Sequence, residues 1–289
     1  MNVAPRSHSI DGPAGQLVVH DWSGEGPAVL LAHATGFHGR VWAPVAERLV
    51  AAGRHVWSFD FRGHGDSSAP DPEGDTYTWD GFAADALAVA EHLGVNRDPS
   101  LVACGHSKGA AALLLGEARA PGTFARIWAY EPILFPDDRP IPSPDTFPLS
   151  LSARTRRNEW SSVDEAYEAY ASKRRFRAMT QESLRAYVDY GLRDRGDGVL
   201  ELKCRPDVES RVYAMAPVNG AWSVLPQIAP PVLVACGEVS TDIGPPLAER
   251  IARRIPHGRV EEWAGCGHFG PQQDPDRCAA SILRFVDTL

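Results

Sequence analysis

Long apolar runs are missing from this chain of 289 residues, and so is any excess of positive charge. The uninterrupted apolar stretches have the length of single β-strands, well short of the roughly 20 residues a membrane-spanning helix needs. Residues 1–15 hold no apolar core of the signal-peptide kind, so the expectation is a cytoplasmic protein with no membrane partner. Lys and Arg number 29 against 37 Asp and Glu, a net charge of −8, which argues against nucleic acid as a main partner. Cysteine is sparse and unpatterned. Cys104, Cys204, Cys236, Cys266 and Cys278 are odd in number and show no metal-ligand spacing, so they read as reduced side chains rather than a disulfide framework or a metal site. No metal or organic cofactor is implied.

What is present is an alternation. Residues 16–22 read as a strand, and 28–33 as a continuous apolar run suited to a strand buried on both faces. A helical spacing over 41–52 follows, then a strand over 55–60, a helix over 79–93, an apolar run over 101–104, a helix from 110, and a strand over 126–130. Strands and helices alternating at this spacing predict a parallel sheet with right-handed crossovers. At Pro132 the alternation stops. Residues 132–148 contain six prolines, Ser162 to Glu165 has the form of a capping box, and helices are expected from there through Tyr170, over 180–192 and over 207–215. The strand pattern resumes at 231–236, followed by a helix over 245–255, a strand over 259–263 and a helix over 276–289. The division expected is an α/β core of residues 1–131 and 223–289 with a helical cap, 132–222, inserted over the carboxyl ends of the strands, where open sheets bind ligands. The basic run 173–177 reads as a solvated helix face. The cap aromatics Trp160, Tyr167, Tyr170, Phe176, Tyr187 and Tyr190 suggest an apolar pocket, although this helical spacing equally describes cap core.

The chemistry concentrates at Gly105-His106-Ser107-Lys108-Gly109, a G-x-S-x-G pattern between an apolar strand and an alanine- and leucine-rich helix. In a nucleophile elbow of this kind a sharp strand-to-helix turn lifts the serine hydroxyl clear of the sheet. Serine is a weak nucleophile at neutral pH and needs a base within hydrogen-bond reach. In this arrangement the acid and then the histidine follow the serine in the chain. Only His257 and His268 follow Ser107. His257 lies in a Pro-His-Gly turn, whereas His268 lies in the glycine-rich loop directly after the last strand, and is the candidate base. Two carboxylates compete as the acid: Glu131, at the end of the strand after the elbow helix, and Asp242, after the strand over 231–236.

These motifs together carry a resemblance. His33-Ala34-Thr35-Gly36-Phe37, the stretch from Asp60 through Ser67 (DFRGHGDS), the elbow, and Gly267-His268-Phe269 resemble the α/β-hydrolase superfamily over nearly the whole chain. The resemblance implies an α/β-hydrolase fold, a mostly parallel central sheet flanked by helices, with a cap inserted after the strand ending near Tyr130. In most members the acid stands three residues after the glycine that ends the penultimate strand, and Ser240 occupies that position here. In some haloalkane dehalogenases it is a glutamate about two dozen residues past the nucleophile, which matches Glu131 and favours it over Asp242. Those dehalogenases use an aspartate nucleophile. Serine points instead to acyl transfer, with an oxyanion held by the backbone N–H groups of Lys108 and Thr35. His-Gly is common where this chain has His33-Ala34, a departure at the second donor. The Lys108 side chain either faces the pocket, where it would attract a substrate carboxylate, or turns away. His38, Trp42 and His106 are further candidates to line the pocket. Asp60, Arg62 and Asp66 read as braces of their loops.

The function expected is therefore a serine hydrolase for a small carboxylic ester or lactone. A cofactor-free C–C bond hydrolase and a perhydrolase share the same scaffold, and a ligand receptor with turnover lost is a reading of another class.

Overall fold

The computed structural model describes residues 4–94, 100–136, 146–216, 220–241 and 243–287. Asp242 and much of the proline-rich stretch lie outside the described residues. Eleven strands are seen among them: β1 (Arg6–Gly12), β2 (Gly15–Asp21), β3 (Ala28–Ala32), β4 (His55–Asp60), β5 (Val102–His106), β6 (Arg126–Tyr130), β7 (Glu159–Trp160), β8 (Leu192–Asp194), β9 (Leu200–Leu202), β10 (Val232–Gly237) and β11 (Gly258–Trp263). The helices are α1 (Ala43–Ala51), α2 (Trp79–His92), α3 (Lys108–Arg119), α4 (Pro148–Arg154), α5 (Val163–Ala171), α6 (Gln181–Gly191), α7 (Pro206–Met215), α8 (Ala221–Val224), α9 (Pro245–Arg254), α10 (Gly270–Gln273) and α11 (Pro275–Asp287).

Eight strands form one sheet in the order β1-β2-β4-β3-β5-β6-β10-β11. β1 and β2 make an antiparallel hairpin, β2 joins β4 antiparallel, and the six strands from β4 to β11 are parallel. Every residue of β5 and β10 is buried, as the apolar runs 102–104 and 232–236 within them require of strands covered on both faces. One apolar layer packs Phe82 of α2, Leu113 of α3 and Ile251 of α9 against the sheet. The opposite layer does the same with Leu49 of α1 and Ile282 and Phe285 of α11. This is the α/β-hydrolase architecture that the motifs imply.

The segment between β6 and β10 departs from a purely helical insertion. Its capping box forms, with Ser162 accepting from the Glu165 N–H, but Glu165 returns its carboxylate to the Ser161 N–H rather than to Ser162. Beside α4 to α8 it contains a small antiparallel sheet, β7-β9-β8. Strands of two and three residues are too short to show a period-2 pattern in sequence. β1 was equally invisible, because only Ile10 of its seven residues is buried. The basic run 173–177 sits in turns between α5 and α6, not on a helix, with its four cationic side chains exposed. Among the described residues, no helix is long and apolar enough to cross a membrane.

Candidate active site

β5 ends at His106, α3 begins at Lys108, and Ser107 alone makes the turn with φ 56° and ψ −114°. Few non-glycine residues hold such a conformation, and its strain persists only where the surroundings over-determine it. Here two close approaches do so. A Cβ on Gly105 would lie 2.5 Å from the Ala110 backbone, and one on Gly109 would lie 2.3 Å from the Ala32 carbonyl oxygen. The two glycines let the strand fold back on its helix and let that helix press against the end of β3. The Ser107 N–H donates to the Tyr130 carbonyl at 2.9 Å, which ties the elbow to the end of β6.

The residue after Tyr130 is Glu131, with φ 43°. Among the described residues only Ser23, Ser107 and Glu131 are non-glycine residues with positive φ. The turn sends the Glu131 side chain under the end of β10, where the Gly237 N–H donates to Oε1 at 2.8 Å. His268 Nδ1 donates to Oε2 at 2.7 Å. Glu131 is fully buried, whereas the His268 side chain is about one-third exposed. The bond commits the Nδ1 hydrogen to Glu131 and leaves Nε2 as a proton acceptor. The loop carrying His268 is held from two further sides. Tyr130 Oη donates to the Gly267 carbonyl at 2.7 Å, and His106 Nε2 donates to the His268 carbonyl at 2.7 Å. Ser107 Oγ forms no hydrogen bond among the described residues; such bonds often tighten only when substrate arrives. Ser240 holds the position usual for the acid, and its buried Oγ has no partner. The alternative acid Asp242 lies outside the described residues.

At the first residue of α3, the Lys108 N–H has no carbonyl one turn back to bond to. On the facing loop the Phe37 N–H is used by the Ala34 carbonyl, while Thr35 is buried with no intramolecular bond from its N–H among the described residues. The close approach of Gly109 to the Ala32 and His33 carbonyls brings these two N–H groups to the same sheet edge as Ser107. Behind them the loop after β4 is braced as expected. Asp60 accepts from the N–H groups of Gly39 at 2.6 Å and Asp66 at 2.8 Å. Arg62 pairs with buried Asp85 through Nε at 2.9 Å and Nη2 at 2.6 Å.

Residues 29–281 match the profile of the alpha/beta hydrolase family. The chain belongs to that family. It is 33% identical over 106 residues to protein phosphatase methylesterase 1 of Cryptococcus neoformans, a match covering 35% of this chain and 25% of the methylesterase. The chain thus spans only about a quarter of the curated relatives it matches. Two solved structures share the fold over the full length. E-2-(acetamidomethylene)succinate hydrolase superposes with a TM-score of 0.84 at 20% identity, covering 98% of this chain and 100% of its own. A thermophilic esterase from Thermogutta terrifontis gives 0.71 at 22% identity, covering 98% and 100%.

Within this alpha/beta hydrolase the Lys108 side chain takes the inward course. It is fully buried, with Nζ 3.5 Å from His64 Nε2 and 4.2 and 4.6 Å from the ring centres of Phe61 and Phe82. Burial pushes its ammonium down to about 7. Of the two directions the sequence left open, the side chain turns away into the core, beside His64, Phe61 and Phe82. Trp42 is likewise fully buried, and His106 is spent on positioning the His268 loop. His38 does line a cavity, between the loop after β3 and the inserted segment. Burial pushes its imidazole down to about 4, and its Nε2 donates to the Tyr187 carbonyl at 3.0 Å. Also facing that cavity are Arg156, Tyr170 and Tyr187. Arg156, in the bend between α4 and β7, carried no signal in the sequence, since its partner Glu209 stands 53 residues away on α7.

Proposed function

We propose that this hydrolase cleaves a carboxylic ester or lactone through an acyl-enzyme on Ser107, with His268 as general base and Glu131 as the orienting acid. The observation that carries the reading is the bond from His268 Nδ1 to the buried Glu131 carboxylate beside a serine held at positive φ on a helix N-terminus. Ser107 Oγ attacks the carbonyl carbon while His268 Nε2 takes the hydroxyl proton. Glu131 fixes the imidazole tautomer and stabilises the imidazolium. The tetrahedral oxyanion accepts from the Lys108 and Thr35 N–H groups, preorganised where charge develops. Collapse expels the alcohol, which leaves with the proton from His268. A water then gives its proton to Nε2 and attacks the acyl carbon, and the Oγ–acyl bond breaks as Nε2 returns that proton to Oγ, releasing the acid and restoring Ser107. Residues 132–222 act as a cap over this edge, and residues 1–131 and 223–289 as the core. The stretch shared with a methylesterase supports an ester as the bond that is cut.

The test is hydrolysis of p-nitrophenyl esters of increasing acyl length by wild type and Ser107→Ala, alongside fluorophosphonate labelling. Turnover lost by at least about a thousand-fold in Ser107→Ala is the expected result. Labelling of Ser107 without turnover of any ester would move the reaction to a C–C bond or another demanding substrate. Neither labelling nor turnover would leave a receptor on a hydrolase scaffold.

A further inference from the structure

We propose that the cavity between the loop after β3 and the inserted segment is a carboxylate subsite. In it the hydroxyls of Tyr170 and Tyr187, backed by Arg156, bind a carboxylate that the substrate carries away from the bond being cut. The inference rests on the hydrolase reading above and names the substrate class it serves.

Arg156 Nη2 donates to both phenol oxygens, Tyr170 Oη and, at 2.9 Å, Tyr187 Oη. Each phenol oxygen is therefore an acceptor here, and neither phenol proton has an acceptor among the described residues. Both tyrosines are buried, so two donors without partners stand within one nitrogen's reach of each other. Leaving such a donor unmet is costly, and a group that accepts from both is what the site lacks. A hydroxyl that accepts from a guanidinium is polarised into a stronger donor, which suits an anionic acceptor over a neutral one.

The charges are arranged to the same end. The cavity wall includes Arg156 and Lys203 and contains no Asp or Glu. Each cation has a carboxylate partner that is not a lining residue: Glu209 on Arg156 Nη1, beside Gly36 of the wall, and Asp66 at 2.8 Å from Lys203 Nζ. Of the other lining side chains, His38 has its Nε2 hydrogen committed to the Tyr187 carbonyl. Phe37 separates this cavity from the elbow, its ring 5.1 Å from that of Tyr187 and 6.0 Å from that of His106. A substrate reaching past Phe37 would thus place one end at Ser107 and a carboxylate at the phenols. The free volume, about 10 Å³, is that of a single water. A carboxylate enters only as the inserted segment moves outward.

Direct binding separates this from the nucleophile's role. Full-length Ser107→Ala protein is titrated calorimetrically with glutarate and with its neutral dimethyl ester. Saturable binding of glutarate is expected, weakened about ten-fold or more when Tyr187→Phe or Tyr170→Phe is added, with no saturable binding of the diester. Arg156→Lys, which keeps the charge but loses the fork, should weaken it as well, and serves if a phenylalanine variant fails to fold. Glutarate that does not bind would mean that the phenols hold a trapped water only. That result, equal affinity in the variants, or a diester that binds as well as the diacid, would overturn the subsite. Fluorophosphonate labelling of the wild type reports on Ser107 independently, so failure of the subsite and failure of the serine-hydrolase reading give different results.

Discussion

Glu131 does its proposed work through one unusual dihedral. A residue preceding proline favours extended backbone, yet this one holds φ 43° with Pro132 behind it, and that turn is what aims its carboxylate at both the Gly237 N–H and His268 Nδ1. Glu131→Gln preserves size and reach while replacing an acceptor-only group with an amide. The amide can turn its NH2 toward Nδ1, which then becomes the acceptor and puts the imidazole hydrogen on Nε2, the wrong nitrogen for a base. The expected result is a fall in kcat of roughly three to four orders of magnitude, with KM changed far less and the folded structure retained. A loss below ten-fold in steady-state ester hydrolysis would pass the acid's role to Asp242.

The element that sets the site is α3, and its position depends on contacts a side chain would forbid. A Cβ on Gly109 would meet two backbone carbonyls, Ala32 at 2.3 Å and His33 at 2.8 Å, so Gly109→Ala must push α3 away from β3. That movement separates the Lys108 and Thr35 N–H groups. The expected cost is about 1–3 kcal/mol of stability and a fall of about ten- to a hundred-fold in kcat. Gly116, on the same helix, is the control. A Cβ there meets nothing closer than 3.6 Å, so Gly116→Ala should be neutral or stabilise by up to about 1 kcal/mol, with kcat unchanged. Chemical denaturation and steady-state kinetics on both variants decide it. The elbow, the parallel strands and the helix on each side of them were legible in sequence because buried strands read as apolar runs and amphipathic helices as periodic ones. What escaped were elements without such a period: β1, with one buried residue, and the two- and three-residue strands of the insertion. Glu131 was singled out over Asp242 through the resemblance to some haloalkane dehalogenases, although no local pattern foretold its dihedral. Arg156, Tyr170, Tyr187 and Glu209 meet from four separate segments, and only tertiary structure assembles them.

At the scale of the whole molecule, stability must carry the cost of Lys108. The sequence left its direction open, and the structure buries it wholly among Phe61, Phe82 and His64. Burial lowers its pKa from 10.5 to about 7, whereas in the unfolded chain the ordinary value returns. Below about pH 7 the lysine is charged in both states, and the native state bears the full penalty of a buried ammonium. Between about 7 and 10.5 the unfolded chain binds the extra proton, so this contribution to stability rises with pH. Above that range both forms are neutral and the penalty is gone. Lys108→Met fills similar space without a charge, and should exceed wild type in unfolding free energy by on the order of a few kcal/mol at pH 6–7. That gap should narrow steadily as pH rises toward 10. The Cys104 thiol, which burial alone pushes upward, is common to both proteins and cancels in the difference, whereas His33, His64 and Cys204 feel the Lys108 charge and their response is part of the gap. Urea unfolding of the two proteins at pH 6, 7, 8.5 and 10 measures it. A gap that stays constant across the series would mean that the ammonium finds enough compensation from His64 and the two aromatic faces to keep its proton, and that packing alone separates the variants.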